Sequence, residues 1–390
     1  MTLQQIKIVC FVGAGTMGCY NSLVAALAGY KVILYDVSAQ HLAATDLKYS
    51  QLAEPMLAAG KISQQDFTRA MQRVTLSGDV TTALGSADLV SESVFEQRDL
   101  KRKVLKDIEN HCQPHCIITT NTSALLVSEL DLALEDGSRF AALHSYLSIG
   151  LMDIVGGPRC ESKTLQTLVR YVKSLHCQPL LLKKEYPGYL LNALLGSFLT
   201  AAILLAANGE GTIEEIDRAW LAHSEGAMGP FGLMDYIGIK VIYDSWADQK
   251  IEAHEHVISK RVTAYLAPFM QRGELGMRTG KGFYGYPQAS WQAPEFTQKK
   301  DIPQRLYKAL STAIIQRAIL VYDAGVADRE MIDQTWVTGV SIAKGPFTLF
   351  SEWGVTEFDA VSKITQAAIA LCSEEQMNAI QRFIDIAHQS

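Results

Sequence analysis

The feature that most constrains this chain is a glycine-rich turn, GAGTMG at residues 13–18, which lies between a strand pattern and a helix pattern. Residues 6–12, IKIVCFV, are apolar and rich in β-branched side chains, and residues 31–37, KVILYDV, form a second run of the same kind. Strand, glycine turn, helix and strand together predict one βαβ unit at the start of the chain.

Each glycine of this turn has its own physical task. Gly13 allows a tight turn, Gly15 lets the backbone approach a pyrophosphate, and Gly18 lets the helix pack closely on the strand. Asp36 ends the next strand, where a carboxylate accepts hydrogen bonds from ribose hydroxyls and repels a 2′-phosphate. No arginine follows in residues 37–45, so NAD is favoured over NADP as the cofactor. The predicted cofactor-binding turn also includes Ala14, Thr16 and Met17.

The rest of the first half continues the alternation of strands and helices. Further strand candidates are VTLSGDV, ADLVSESV and CIITTNTS, and a charged helix, QRDLKRKVLKDIEN, lies between the last two. Alternation of this kind predicts a parallel, doubly wound sheet. We therefore expect an α/β Rossmann-type domain over residues 1–184.

The second half has helix patterns only and contains an internal repeat. IDRAW at 216–220 recurs as IDQTW at 332–336, and GPFGL at 229–233 recurs as GPFTL at 345–349, both 116 residues later. Two matches at one offset predict a tandem repeat of two all-α domains, over 185–287 and 303–390. The Gly-, Pro- and polar-rich segment from Gly280 to Pro303 is interpreted as a linker.

Composition excludes several classes of protein. The chain holds 35 basic and 41 acidic residues, a net charge of -6, which argues against nucleic acid as a partner. The uncharged stretch 186–208 contains Pro, Gly, Asn, Ser and Thr and is interpreted as a buried helix, not a membrane span. Seven cysteines without paired spacing indicate reduced thiols and a cytoplasmic location, and the chain starts without a signal-peptide pattern.

A short segment rich in possible metal ligands lies at residues 111–116. It contains His111, Cys112, His115 and Cys116, interrupted by Pro114. Tetrahedral zinc usually takes its ligands from two separated clusters, and no second cluster lies nearby. We interpret the segment as a helix–strand loop and expect no metal.

Taken together, several motifs resemble the 3-hydroxyacyl-CoA dehydrogenase family over nearly the whole chain. The motifs are GAGTMG at 13–18, SESVFEQRDLKRK at 91–103, NTSAL at 121–125, His144, YPGYLLN at 186–192, IDRAW followed by GPF, and GKGFYGY at 280–286. The resemblance implies hydride transfer between NAD(H) and C3 of a 3-hydroxyacyl or 3-ketoacyl thioester.

The resemblance also implies roles for individual residues. His144 takes the place of the general acid/base, and Ser123 and Asn192 take positions that hydrogen-bond the substrate oxygen or its surroundings. Glu96 and Lys101 match charged positions of the cofactor and substrate cleft, and Asn121 is assigned to cofactor binding. Ser123 could also cap a helix beginning at residue 124.

The region after His144 departs from the family pattern. Leu147 and Ser148 stand where family members usually have Asn-Pro, and Ala193 stands where an arginine usually follows the asparagine. Without gaps, the carboxylate that holds the histidine falls on Gly156. A three-residue deletion instead places Asp153 there, one methylene shorter than the usual Glu, which predicts a compensating backbone shift.

Three functions therefore stay open. The first is a dehydrogenase acting on an acyl-CoA thioester. The second is the same chemistry on a hydroxyacyl group carried by acyl carrier protein, since the altered loop after His144 would suit an unusual acyl group. The third is an NAD-binding homologue with little turnover. A homodimer is also possible, although a second helical copy would be expected to cover the first copy within one chain.

Overall fold

A computed structural model describes residues 5–247, 253–299 and 302–389. The chain divides into two compact units, Met1–Tyr189 and Leu190–Ser390. The division falls a few residues beyond Lys184, close to the Pro187-Gly188 pair. The second unit spans the predicted range 303–390 and all of the predicted range 185–287 except residues 185–189.

The first unit is built on one sheet. Within the described residues the sheet has eight strands, in the order β3-β2-β1-β4-β5-β6-β7-β8. The strands are β1 (Ile8–Val12), β2 (Lys31–Tyr35), β3 (Val74–Ser77), β4 (Leu89–Glu92), β5 (Ile117–Thr120), β6 (Phe140–Ser145), β7 (Leu151–Gly156) and β8 (Gln178–Leu181). Strand order reverses between β1 and β4, which opens a crevice at the carboxyl ends of these strands.

The sheet is not entirely parallel, which corrects the prediction. Strands β1 to β6 run parallel to one another. Strand β7 pairs with β6 in the antiparallel direction, and β8 runs parallel to β7. Only residues 146–150 connect β6 to β7, and a parallel crossover needs a dozen residues or more. A short connection of this kind forces the chain to reverse.

Helices cover both faces of the sheet. They are α1 (Thr16–Leu27), α2 (Ala39–Ala43), α3 (Thr45–Ala58), α4 (Gln64–Met71), α5 (Val80–Leu84), α6 (Arg98–His111), α7 (Val127–Asp131) and α8 (Ser162–Ser174). Val9 and Phe11 share a buried cluster with residues of α1 and α8, such as Leu23. Their neighbour Cys10 is fully buried on the other face, since side chains alternate along a strand, and α5 and α6 pack there. Ser63 caps α4 in a capping box with Asp66.

The second unit is helical in its described residues. Its helices are α9 (Leu191–Ala207), α10 (Ile213–Ser224), α11 (Pro230–Ile237), α12 (Ile239–Ala247), α13 (Ala253–Arg272), α14 (Gln304–Asp323), α15 (Arg329–Val340), α16 (Pro346–Ile369) and α17 (Glu374–Gln389). The apolar helix α9 packs against α14, which also contacts α10 and α16. Burial against protein explains why α9 carries no charge, and no helix of the described chain meets the length and apolarity of a membrane span.

The segment predicted as a linker packs against the second unit, which corrects that interpretation over residues 280–299. Tyr284 is buried, and its hydroxyl donates to Asp217 Oδ2 over 2.9 Å. The backbone N–H groups of Phe283 and Tyr284 donate to Asp235 at 2.9 and 3.0 Å. Its Gly and Pro residues produce turns here, because they allow the chain to fold over two buried carboxylates.

Candidate active site

The glycine turn has the geometry of a phosphate cradle. Gly13 has φ +107°, and a Cβ there would lie 2.8 Å from the Ser93 carbonyl oxygen. A Cβ on Gly18 would overlap the carbonyl oxygen of Gly13, so this position requires close backbone packing. By contrast, a Cβ on Gly15 would meet nothing within 4 Å, and no side chain caps α1 there. Free space beside uncapped helical N–H groups fits a pyrophosphate.

Solvent exposure differs among the residues of the turn. Gly15 and Thr16 are exposed and Met17 is half-buried, whereas Ala14 is buried beneath the turn. Residues that face solvent at the start of α1 are accessible to a dinucleotide.

Asp36 lies beside the turn, where the sequence placed it. Its Oδ2 accepts the Ala14 N–H at 2.8 Å and its Oδ1 accepts the Ser38 N–H at 2.8 Å. Two side chains that the sequence analysis missed, His41 and Lys48, also lie here. His41 Nδ1 is 3.3 Å from Asp36 Oδ2, and Lys48 Nζ donates to the Ala14 carbonyl at 2.6 Å. Backbone hydrogen bonds therefore hold this carboxylate in place beside the turn.

Asn121 belongs to a polar network that joins β5, β6 and α1. Its Oδ1 accepts the Ser145 N–H at 3.0 Å and the Asn21 Nδ2 group at 3.4 Å. Ser145 Oγ donates to Asn21 Oδ1 over 2.6 Å. Sequence reasoning missed Asn21 and Ser145, because only the folded sheet brings the three residues together. The network fixes the carboxyl end of β5, where Asn121 begins the predicted NTSAL motif.

Lys101 lies in a buried ion pair. Its side chain is 1% exposed, and its Nζ is 2.8 Å from Glu92 Oε1 and 3.3 Å from Glu96 Oε2. Thr120 donates to the other oxygen of Glu92 over 2.6 Å. Glu92 was not predicted as a site residue. The ammonium of Lys101 therefore faces the protein interior and reaches the site through Glu96.

Glu96 shapes the turn that carries Ser123. Its Oε1 accepts the Thr122 hydroxyl and the N–H groups of Ser123 and Ala124, the latter two at 3.0 Å. Burial opposes ionisation, but the nearby Lys101 and these hydrogen bonds hold the pKa of Glu96 below its usual value. The alternative role of Ser123 as a helix cap is wrong, because α7 begins only at Val127.

His144 and Asp153 form the hydrogen-bonded pair that the deletion alignment predicted. They are direct cross-strand partners on β6 and β7, and His144 Nδ1 lies 3.0 Å from Asp153 Oδ2. Gly156, the position without gaps, pairs with Ala141 instead. Antiparallel register brings the two side chains to the same face, so the shorter Asp reaches the ring from directly opposite.

Two tyrosines complete the surroundings of the histidine. Tyr146 Oη donates to Asp153 Oδ2 over 2.6 Å, and the rings of His144 and Tyr146 meet edge to face, with centroids 4.6 Å apart. The Tyr189 ring lies 5.1 Å from the His144 ring, and burial, followed by nearby carboxylates, raises the pKa of Tyr189. Tyr146 could have been predicted from the sequence, because it lies two positions after His144 in an extended segment, where alternate side chains point to the same face. Ser148 turns the following loop with φ 64°.

Chemically, this arrangement is suited to proton transfer. When Nδ1 of an imidazole faces a carboxylate, Nε2 is the nitrogen that can exchange a proton with a substrate, and the carboxylate stabilises the charged ring. His144 and Asp153 are 5% and 0% exposed, so water competes weakly for their hydrogen bond.

Asn192 belongs to the second unit. It lies in the first turn of α9, where it is half-buried. Asp217, on α10, is fully buried and accepts the N–H groups of Phe231 and Gly232 at 2.8 and 3.0 Å. Burial raises the pKa of Asp217 to about 7 despite these hydrogen bonds, and Asp235 adds to the rise.

The residues 111–116 form the end of α6 and a short loop before β5, as predicted. Among the residues described, no group of three or more His, Cys, Asp and Glu side chains has the arrangement of a metal site. All seven cysteines are free thiols.

Two family models match the chain. The NAD-binding domain of 3-hydroxyacyl-CoA dehydrogenase matches residues 8–186, and the C-terminal domain of 3-hydroxyacyl-CoA dehydrogenase matches residues 188–286. A probable 3-hydroxyacyl-CoA dehydrogenase of Caenorhabditis elegans is 31% identical over 73% of this chain and 97% of its own length. The mitochondrial hydroxyacyl-coenzyme A dehydrogenase of Homo sapiens is 30% identical over 72% of this chain and 91% of its own.

One solved structure extends the likeness of fold to the C-terminal helices. It is a 3-hydroxybutyryl-CoA dehydrogenase of Escherichia coli K12, with a TM-score of 0.77, 20% identity, and coverage of 97% of this chain and 99% of its own. The phosphate cradle, Asp36 and the domain matches agree on the cofactor and the class of enzyme. The chain belongs to the 3-hydroxyacyl-CoA dehydrogenase family and is an NAD-dependent oxidoreductase.

Proposed function

We propose that the chain transfers a hydride between NAD(H) and C3 of a 3-hydroxyacyl or 3-ketoacyl thioester, with His144 as general acid/base. The observation that carries this proposal is the buried pair of His144 and Asp153, with 3.0 Å between Nδ1 and Oδ2. NAD, when bound, supplies or accepts the hydride.

In the oxidising direction, the C3 hydrogen leaves as hydride and the 3-hydroxyl proton passes to His144 Nε2. The hydroxyl oxygen becomes a carbonyl, and Asp153 stabilises the positive ring that results. Ser123 and Asn192 are proposed to hydrogen-bond the substrate oxygen or its surroundings. A hydroxyl and a neutral amide suit that task, because neither takes the proton away from the imidazole.

For the cofactor, we propose that the 13–18 turn holds the pyrophosphate and Asp36 holds the ribose. Asn121 and Glu96 are proposed to shape the cleft at the carboxyl ends of the strands. Lys101 is proposed to support Glu96, since its ammonium is buried against Glu92.

The carrier of the acyl group is tested by a screen of NADH oxidation over 3-ketoacyl thioesters. Acetoacetyl-CoA and acetoacetyl acyl carrier protein are compared at equal concentration. We expect turnover with the CoA thioester, the kind of substrate that the relatives' names give. Faster turnover of the carrier-linked substrate would mean that acyl carrier protein, and not CoA, carries the acyl group. Tight NAD binding without turnover of any thioester would contradict the proposal and favour a binding protein.

We further propose that residues 185–287 and 303–390 are two copies of one helical domain. Asp217 caps α11, and Asp333, 116 residues later, caps α16 through the N–H groups of Phe347 and Thr348 at 2.7 and 2.9 Å. Both α10 and α15 are followed by a left-handed residue, Glu225 and Ser341, again 116 residues apart.

Contacts between the two copies support a pseudo-two-fold arrangement. His223 packs on Tyr307, with ring centroids 5.3 Å apart. At the positions related by 116 residues, Gly339 lies against Leu191. Reciprocal contacts of this type characterise a self-complementary interface. We therefore propose that the second copy covers the first as a subunit would, and that any homodimer uses other surfaces.

Truncation tests this arrangement. Removal of residues 300–390 would uncover the apolar face of α9, so the shortened chain is expected to aggregate or to form new dimers. A monomeric and equally stable truncated chain, measured by light scattering and thermal melting, would contradict the pseudo-dimer.

A further inference from the structure

Tyr146 shares one carboxylate oxygen with His144. The hydroxyl of Tyr146 lies 2.6 Å from Asp153 Oδ2, and Nδ1 of His144 lies 3.0 Å from the same atom. The hydroxyl has only one hydrogen to donate to the carboxylate, and hydrogen bonds to an ionised group are short and strong. The tyrosine is therefore bonded to the atom through which Asp153 acts on the ring.

The other oxygen of Asp153 is poorly supported. Asp153 is 0% exposed, and its Oδ1 has no hydrogen-bond partner within the part of the chain that the structure describes. The two donors on Oδ2 thus provide the side-chain hydrogen bonding seen at this carboxylate. A buried charge with so few donors depends strongly on each of them.

The wider surroundings are acidic. Asp153, Tyr146 and Tyr189 face the His144 ring, and the carboxylates of Glu92, Glu96 and Glu185 lie close enough to raise the pKa of Tyr189. Lys101 neutralises part of this charge through Glu92 and Glu96. The donor on Asp153 Oδ2 therefore competes with the ring for the negative charge of this carboxylate.

We propose that Tyr146 is a positioning residue that fixes Asp153 Oδ2 toward His144 and tunes the proton exchange of the histidine. The hydroxyl prevents the short Asp side chain from rotating and draws negative charge away from the ring. This inference rests on the proposed role of His144 as general acid/base. It explains how an Asp that accepts these two bonds through one oxygen is held in the place of the family's usual Glu.

The test compares Tyr146→Phe with Tyr30→Phe, a matched control. The Tyr30 hydroxyl bonds Ser174 over 2.6 Å on an exposed part of the first unit. Ring NMR follows the titration of His144, which is assigned by the signal lost in His144→Gln. The titration midpoint is expected to rise by about 1 pH unit in Tyr146→Phe, since a hydrogen bond to the carboxylate is lost. Tyr30→Phe is expected to leave it unchanged.

The same variants are measured in the oxidising direction, where His144 acts as the base, by the pH profile of kcat/KM, whose acid limb should move to higher pH together with the ring titration. Because the rings of Tyr146 and His144 also touch, a double-mutant cycle with Asp153→Asn separates the direct and indirect effects. Tyr146→Phe should have no further effect on the midpoint when residue 153 is Asn. If Tyr146→Phe does not fold, Tyr146→Met provides the same loss of the hydroxyl in a flexible side chain.

An unchanged midpoint in Tyr146→Phe would overturn the inference, as would an equal rise in the Asp153→Asn background. A shifted midpoint in a protein that turns over no thioester would support the link from Tyr146 to His144 and contradict the proposed function. The NMR and kinetic readouts therefore separate the two failures.

Discussion

Two fully buried aspartates, one in each unit, have very different partners. Asp217 accepts two backbone N–H groups and the Tyr284 hydroxyl, all within 2.8 to 3.0 Å. Asp153 accepts from the side chains of His144 and Tyr146 through one of its oxygens, and these are the bonds found for it among the described residues. Backbone donors are fixed and keep their protons, whereas an imidazole exchanges its proton. The kind of partner, and not burial, therefore separates a structural carboxylate from one suited to chemistry.

The largest effect that we expect is on the free energy of unfolding. Asp217→Asn replaces an acceptor by a donor facing the Gly232 N–H and the Tyr284 hydroxyl, so we expect a loss of about 3 kcal/mol in the free energy of unfolding. Asp333→Asn is the matched control, because Asp333 is only half-buried and caps α16 in the same way, with an expected loss of about 1 kcal/mol. Urea unfolding measures the free energy of unfolding of both variants. Equal losses would show that the burial of Asp217 does not add to its contribution to stability.

The effect of Asp217 should also depend on pH. Burial raises its folded pKa to about 7, so the folded chain keeps a proton that the unfolded chain releases near about pH 4. Its contribution to stability is therefore present at low pH and is lost as the pH rises through about 7. The difference between the wild type and Asp217→Asn should be larger at about pH 5 than at about pH 8. A constant difference would contradict this assignment.

Asp153→Asn should affect turnover instead of stability. The amide keeps the shape but cannot stabilise the charged His144 ring, so kcat is expected to fall by about 10- to 100-fold. Thermal melting should change little, since the substitution removes charge from a site with few donors. A large loss of stability with kcat per folded molecule unchanged would place Asp153 with Asp217 as a structural residue.

Asp36 also has backbone donors, but we propose that it faces the cofactor. We expect NAD to bind at least about tenfold more tightly than NADP, because the carboxylate opposes a 2′-phosphate. Asp36→Ala should narrow this gap, and the nearby His41 and Lys48 would then favour the added phosphate. Titration calorimetry measures both affinities; equal binding of the two cofactors by the wild type would contradict the role of Asp36.

Sequence predicted the parts of the fold and site that depend on local spacing. The Gly13–Gly18 turn and Asp36 lie within one βαβ unit, so their proximity follows from the pattern. The pairing of His144 with Asp153 followed from an alignment over a short loop. That same loop is too short for a crossover, which the prediction of a parallel sheet overlooked.

The remaining contacts depend on distant segments. Asn21 meets Ser145 only because α1 and β6 lie near one another in the folded unit. Tyr284 docks on Asp217, 67 residues earlier, although its Gly- and Pro-rich surroundings have the composition of a linker. Composition predicts that this segment turns, but it does not predict which residues the segment packs against.

We propose that His144 carries the proton in an NAD-linked reaction at C3 of an acyl thioester. The most direct measurement is steady-state NADH oxidation with acetoacetyl-CoA by the wild type and His144→Ala, with NADH affinity determined for both. The account predicts a fall in kcat of about 100- to 10,000-fold with NADH affinity nearly unchanged. Turnover by His144→Ala close to that of the wild type would contradict the account.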